Sequence, residues 1–304
     1  MTKRQRAVIS MAEAGQNRTL WQEAWLRFKR NKLAMCGLFI LLLLMLIAVG
    51  TIVVDFVTDN QFYRDNVIQQ NLRYRLQLPN REHIFGFDEF GRSVFYRMLW
   101  GTRYSLFIGL FAVVFSTVVG GLIGLIAGFY GGKIDNILMR VMDVFLAIPS
   151  IILAIAIVAA LGPSIFNLLI SIAIPSVPGF ARVVRASVMT VKDREFIEAA
   201  RCLGANNQLL IFKYILPNAM APVIVQSTLG IANAILAIAG LSYLGLGIQP
   251  PIPEWGAMLS SARMFLRDAW HVTVIPGLGI TITILALNLF GDGLRDALDP
   301  RLKR

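Results

Sequence analysis

Long uncharged apolar runs alternate along the chain with short polar segments. The first run, 33–54, carries no charged residue. At about 1.5 Å per residue it reaches about 33 Å, enough to cross the hydrocarbon core of a bilayer. Its length exceeds the apolar stretch of a cleavable signal peptide, about 15 residues at most, and a further basic segment precedes it, so it is expected to remain as a membrane anchor. Further uncharged runs cover 104–132, 144–164, 165–181, 214–253 and 271–291. The third and fourth meet at Leu161-Gly162-Pro163-Ser164, a turn signal that must divide a stretch too long for one helix. The fifth is also too long, and Pro250, Pro251 and Pro253 place 245–253 outside the helix. The pattern therefore predicts an all-α integral membrane protein with six transmembrane helices.

Composition agrees. The chain has 304 residues, 56% hydrophobic and only 15% charged, against about 25% charged in soluble domains. The net charge of +11 admits two readings, nucleic-acid binding or the basic loops of a membrane protein. Segments 1–32, 130–143, 182–213 and 292–304 hold 8, 2, 6 and 4 Lys and Arg, whereas 55–103 and 245–271 hold 7 and 2. Six acidic residues dilute the charge of 55–103. The positive-inside rule then puts both termini in the cytoplasm and explains the basic surplus without nucleic acid.

Before the first span, Thr19 and Gln22 have capping-box spacing, and Trp21, Trp25 and Phe28 recur on one helical face beside Arg27, Lys29 and Arg30. This suggests an interfacial helix forming an elbow into the first span, rather than a straight extension of it.

Several chemistries have no residues to carry them. No ionisable side chain lies near the middle of a span, whereas ion-coupled carriers usually bury one, which argues against a self-powered secondary transporter. H-E-x-x-H and G-x-S-x-G motifs are absent, as is a phosphate loop. The stretch ending at Lys133 has the wrong spacing, and Ile134 stands where a magnesium-binding hydroxyl belongs. Cys36 and Cys202 lie far apart, and His83 and His271 stand alone, so no metal site is expected. In the second span Gly120, Gly124 and Gly128 recur every four residues beside Gly121. This groove suits close helix packing, either within the chain or against a partner.

The polar loop 193–217 is the most informative segment. Residues 193–203 favour a helix in which Phe196, Ala199, Ala200 and Leu203 form an apolar stripe beside Glu195, Glu198 and Arg201. Gly204 suits its C-terminus, and a second short helix leads into the fifth span past Pro217. Such a helix is either a solvated loop or a ligand for a groove on a partner.

Glu198-Ala199-Ala200, followed by Gly204 and Leu216-Pro217, resembles the EAA motif of ABC-importer permeases, with Tyr214 where Ile is usual. His83-Ile84-Phe85-Gly86 through Gly91-Arg92-Ser93, and Gly101-Thr102-Arg103-Tyr104-Ser105-Leu106, are similar to the GTDxxGRD…GxRxSL segment of peptide-type permeases. Phe87 and Ser93 replace the usual Thr and Asp. Gly128–Asp135, Met139–Asp143 and 291–300 also fit. The chain thus looks like the C-type subunit of dipeptide and oligopeptide importers, a subunit type shared with nickel and glutathione importers.

The resemblance implies the type I importer permease fold in a bacterial-type cytoplasmic (inner) membrane. It implies a B-type permease partner, two cytoplasmic ATPases that bind ATP and Mg, and an extracytoplasmic peptide-binding protein. This chain would hold no cofactor and no catalytic residue. The expected layout is a cytoplasmic segment 1–32, an anchor 33–54, an extracytoplasmic loop 55–103, a permease core 104–292 containing the coupling loop 193–217, and a cytoplasmic tail 293–304. Coupling to the ATPase is expected at Glu195, Glu198, Ala199, Ala200, Arg201, Gly204 and Ala205. In this scheme the alanines permit close approach, Glu198 and Arg201 pair with charges on the groove rim, and Gly204 turns the chain. Gln226, Ser227, Asn233 and Asn288 are polar within spans; they either line the pathway or hydrogen-bond between helices. A non-transporting scaffold subunit is the alternative from another class.

Overall fold

The computed structural model describes residues 20–298, with side chains from Gln22 onward. Thr19, the Trp21 side chain and the tail beyond Leu298, all used above, lie outside the described residues. The helices are α1 (Leu20–Arg30), α2 (Lys32–Val57), α3 (Val94–Tyr130), α4 (Gly132–Leu146), α5 (Ser150–Leu161), α6 (Ile165–Lys192), α7 (Glu195–Cys202), α8 (Asn207–Tyr243), α9 (Trp255–Ala262) and α10 (His271–Leu298). Among the described residues five helices are long and apolar enough to cross a membrane, or six if the bent pair α4–α5 counts as one span.

α1 and α2 are separate helices because Asn31 interrupts them. Its side chain accepts from the amides of Leu33 and Ala34 at 3.1 and 3.2 Å, capping α2 afresh. Phe28 is buried against Phe290 of α10, ring centroids 5.5 Å apart. Trp25, expected on the same face, stays exposed under the Lys29 ammonium.

The uncharged run starting at 104 understates its helix. α3 begins at Val94 and runs 37 residues, because the charges of its first turns are matched. Arg97 meets Asp88 at 3.3 Å and donates to the Pro251 carbonyl at 3.1 Å. Arg103 meets Asp55 at 2.5 Å. At about 1.5 Å per residue α3 is about 55 Å long, well beyond a bilayer core of about 30 Å. Its first turns therefore belong to a cap built with segment 58–93 and α9.

The third expected span, 144–164, is not one helix. α4 and α5 meet at 82° across the break before Pro149. Proline removes a helix hydrogen bond and restricts the preceding residue, which ends α4 here. With 12 residues, α5 is about 18 Å long and cannot cross alone. α4 is amphipathic and lies across α6. Met142 packs on Val177 and Ala181, and Asp135 and Asp143 pair with Arg185 and Arg182 at 2.5 and 2.7 Å.

The glycine groove faces inward. A Cβ on Gly120 would lie 2.5 Å from the Val177 carbonyl oxygen, one on Gly128 2.9 Å from that of Arg185, and one on Gly124 would run into that of Ala181. The stripe is therefore where α3 and α6 touch backbone to backbone, which settles the choice in favour of packing within the chain.

Candidate functional site

α7 is a two-turn helix hung between α6 and α8 at one end of the bundle. Its C-terminus closes by a Schellman motif. The Gly204 amide donates to the Arg201 carbonyl at 3.0 Å and the Ala205 amide to the Ala200 carbonyl at 3.1 Å. Gly204 sits at φ +87° with nothing near its Cβ position. The left-handed backbone, and not a close neighbour, is thus what demands glycine there. Asn206 then caps α8, accepting from the Leu209 amide at 2.8 Å. α8 widens into a π-turn over Leu210–Ile215, just ahead of Pro217, whose ring cannot supply an amide to the ladder.

The face that holds α7 to the bundle differs from the expected stripe. Ile197 is fully buried and Ala200 nearly so, packed with Leu210 and Ile215 of α8 and with Val188 and Val191 of α6. Phe196, Ala199 and Leu203 point away, and Leu203 is 89% exposed. Periodicity located an apolar stripe, but two such stripes share this short helix. Only packing shows that Ile197 anchors it and that Ala200 leans on its own chain. Glu195, Glu198 and Arg201 are exposed on the rim of the free face, and Ala205 is half-buried. Phe212, one turn into α8, adds a further exposed apolar side chain, 65% accessible. It was not among the expected coupling residues, although its place in the loop's second helix was a signal.

A cleft of about 860 Å³ lies between α5, α6, α8 and α10. On α8 its lining starts at Gln226 and reaches Tyr243, in the half of the helix away from α7. Gln226 and Asn233 both line it, while Ser227 and Asn288 do not. Ser227 is spent on the Val223 carbonyl at 2.8 Å and on Thr117 of α3 at 3.1 Å, so it joins helices. Asn288 is exposed on α10 outside the cleft. Ser176 and Thr281, which the hydropathy of their spans conceals, also line it. Among the lining residues there is no Asp, Glu, Lys, Arg or His.

At the opposite end from α7 the cap is held by buried charge. Asp88 accepts from the amides of Phe90 and Arg92, both at 2.9 Å, and from Arg92 Nε at 2.7 Å. Asp55 joins α2 to α3 through Trp100 Nε1 at 2.9 Å and Arg103. Glu254 caps α9, accepting from Gly256 and Ala257 at 2.7 and 2.8 Å and from Ser105 Oγ at 3.2 Å. His271, fully buried, lies with Nε2 3.1 Å from the Phe87 carbonyl oxygen. Burial pushes the Tyr63 phenol up, so it stays neutral beside Arg103. The motif residues of 83–106 thus turn out to be structural ties of this cap.

Residues 120–304 match the family model described as binding-protein-dependent transport system inner membrane component, and residues 19–79 match the N-terminal TM domain of oligopeptide transport permease C. The chain is 49% identical to the dipeptide transport system permease protein DppC of Alkalihalophilus pseudofirmus, over 93% of this chain and 90% of that one. It is 46% identical to the di/tripeptide permease of Pseudomonas aeruginosa, over 93% and 92%. It is 44% identical to the glutathione transport system permease protein of Pectobacterium atrosepticum, over 94% and 93%. Among solved structures, an inward-facing MetNI methionine ABC transporter superposes with a TM-score of 0.54 at 18% identity, covering 67% of this chain and 97% of that one. An amino acid ABC transporter gives 0.53 at 16%, covering 66% and 94%. At such identities the likeness speaks to fold.

Proposed function

We infer the role of this chain from its family: it belongs to the binding-protein-dependent transport system inner membrane components, and it is a multi-pass permease subunit of an ABC importer. Its cargo, on our reading, is a di- or oligopeptide. The relatives named for dipeptide and di/tripeptide transport, and the N-terminal match to an oligopeptide permease domain, support this. The glutathione relative at 44% identity favours a second reading, glutathione uptake by the same machinery.

The observation that carries the coupling role is the free face of α7. Phe196, Ala199 and Leu203 form an exposed apolar patch on a helix whose other face is anchored by Ile197. A patch rimmed by Glu195, Glu198 and Arg201 suits the groove of a cytoplasmic ATPase. Gly204 and Ala205 hold the turn rather than touch the partner. The distribution of Lys and Arg supports placing this end, and both termini, in the cytoplasm.

α7 is continuous with α6 and α8, and both of these border the cleft. Closure of paired ATPases around ATP and Mg then favours one arrangement of the helices that wall the cleft. This chain supplies no catalytic group; hydrolysis falls to the ATPases. A B-type permease supplies the other half of the pathway, and a binding protein delivers peptide to the cap side.

Reconstitution of the chain with these partners in proteoliposomes tests the reading. ATP-dependent uptake of a binding-protein-delivered dipeptide is expected. Uptake of glutathione in place of peptides would favour the second reading, and uptake without ATPases would overturn both.

A further inference from the structure

Gln226 and Asn233 are seven residues apart on α8, two helical turns, so both face the same way, separated by about 10.5 Å along the axis. Both line the cleft. Neither carboxamide makes a hydrogen bond among the described residues. Of the five hydroxyls on the wall, those of Ser150 and Tyr243 are unbonded among the described residues and three are spent. Ser171, Ser176 and Thr281 return their hydroxyls to the carbonyls of Leu168, Ile172 and Gly277 at 2.7, 2.9 and 2.8 Å. A carboxamide offers a donor and an acceptor side by side, as does a peptide unit. The wall carries no Asp, Glu, Lys, Arg or His, so it has no fixed charge with which to attract or repel a charged side chain.

Resting on the peptide reading above, we propose that Gln226 and Asn233 read the backbone amides of the cargo and leave its side-chain charge unread, making this half of the pathway indifferent to peptide charge. A fixed charge in a low-dielectric cleft would hold an opposite charge far more strongly than a neutral hydrogen bond does. Passage requires contacts favourable enough to admit the cargo and weak enough to release it, and neutral amide pairs meet both demands. The competing role for these amides is to bind the neighbouring permease subunit across the cleft.

The assembled importer in proteoliposomes, with its binding protein at equal occupancy, is the test. The probes are trialanine, Ala-Lys-Ala, Ala-Glu-Ala and a trialanine N-methylated at its central peptide bond. The unaltered complex is expected to take up the three unmethylated peptides at rates within about threefold of one another. Neutral hydrogen bonds are each worth about 2- to 10-fold, so Gln226→Leu with Asn233→Leu should slow all three by a common factor of about 5-fold or more. Asn233→Asp, nearly isosteric, should raise the Ala-Lys-Ala to Ala-Glu-Ala ratio about 10-fold. N-methylation should slow the unaltered complex and make no further difference to the double-leucine variant; the first half of that comparison needs no variant to fold. A charge ratio unmoved by Asn233→Asp, or equal N-methyl penalties in both complexes, would overturn the proposal while peptide uptake itself stands. Loss of the second permease from the purified Leu variants would overturn it in favour of subunit binding. Absence of peptide uptake by the unaltered complex would instead overturn the peptide reading and the proposal with it.

Discussion

The Ala205 amide reaches back to the Ala200 carbonyl at 3.1 Å, and the two residues meet only because Gly204 between them is left-handed. A β-branched residue at that position costs on the order of 1–3 kcal/mol in strain. Gly204→Val should leave the complex assembled, since nothing crowds the site, but lower peptide-stimulated ATP hydrolysis about 10-fold. Gly204→Asn, which tolerates the left-handed region, should retain most of it. Equal losses in both variants would remove the backbone explanation.

The free face of α7 gives a test that spares the fold. Leu203 is 89% exposed, so Leu203→Glu removes no internal contact. Burying one large apolar side chain at an interface contributes about 1.5–3 kcal/mol, or about 10- to 100-fold in affinity. Leu203→Glu should strip the ATPases from the purified complex while leaving thermal stability unchanged. Ala200→Glu should instead unfold the α7 attachment, because Ala200 is buried against its own chain.

Gly121 and Gly124, one turn apart on α3, should respond differently. Gly124→Ala drives a methyl into the Ala181 carbonyl and should destabilise by about 1–3 kcal/mol. Gly121→Ala finds its nearest neighbour, Val184 Cγ2, at 4.0 Å and should be neutral. Thermal unfolding of the detergent-solubilised chain separates the two, and it needs no partner subunit because the contact is internal.

In the cap, Asp88→Ala deprives two backbone amides and two buried guanidinium groups of their acceptor. Breaking a buried ion pair from one side costs about 3–5 kcal/mol. Limited proteolysis should then cut within 63–93 at least about 10-fold faster, with α3, α6 and α8 still protected.

The long spans were legible because a bilayer filters sequence by one property, averaged over many residues. α2 nearly coincides with its uncharged run, and α10 starts with its run at His271 and continues seven residues past it. Helix and uncharged run diverge where charges are paired or a run is bent. α3 begins ten residues before its charge-free run, since Arg97 and Arg103 find partners distant in sequence. The third run is apolar throughout yet turns 82°, and hydropathy carries no direction. On α7, eight residues are too few for periodicity to rank two apolar faces.

Composition, charge distribution and motif spacing were enough for the class of protein and its helical architecture, because these depend on local residue type. Three-dimensional packing was needed to choose between Ile197 and Leu203, to turn the Gly124 groove inward onto α6, and to bring Gln226 and Asn233, but not Ser227 or Asn288, to the cleft. Each of these outcomes depends on which side of a helix meets a neighbour remote in sequence, and a linear chain does not carry that information in any single window.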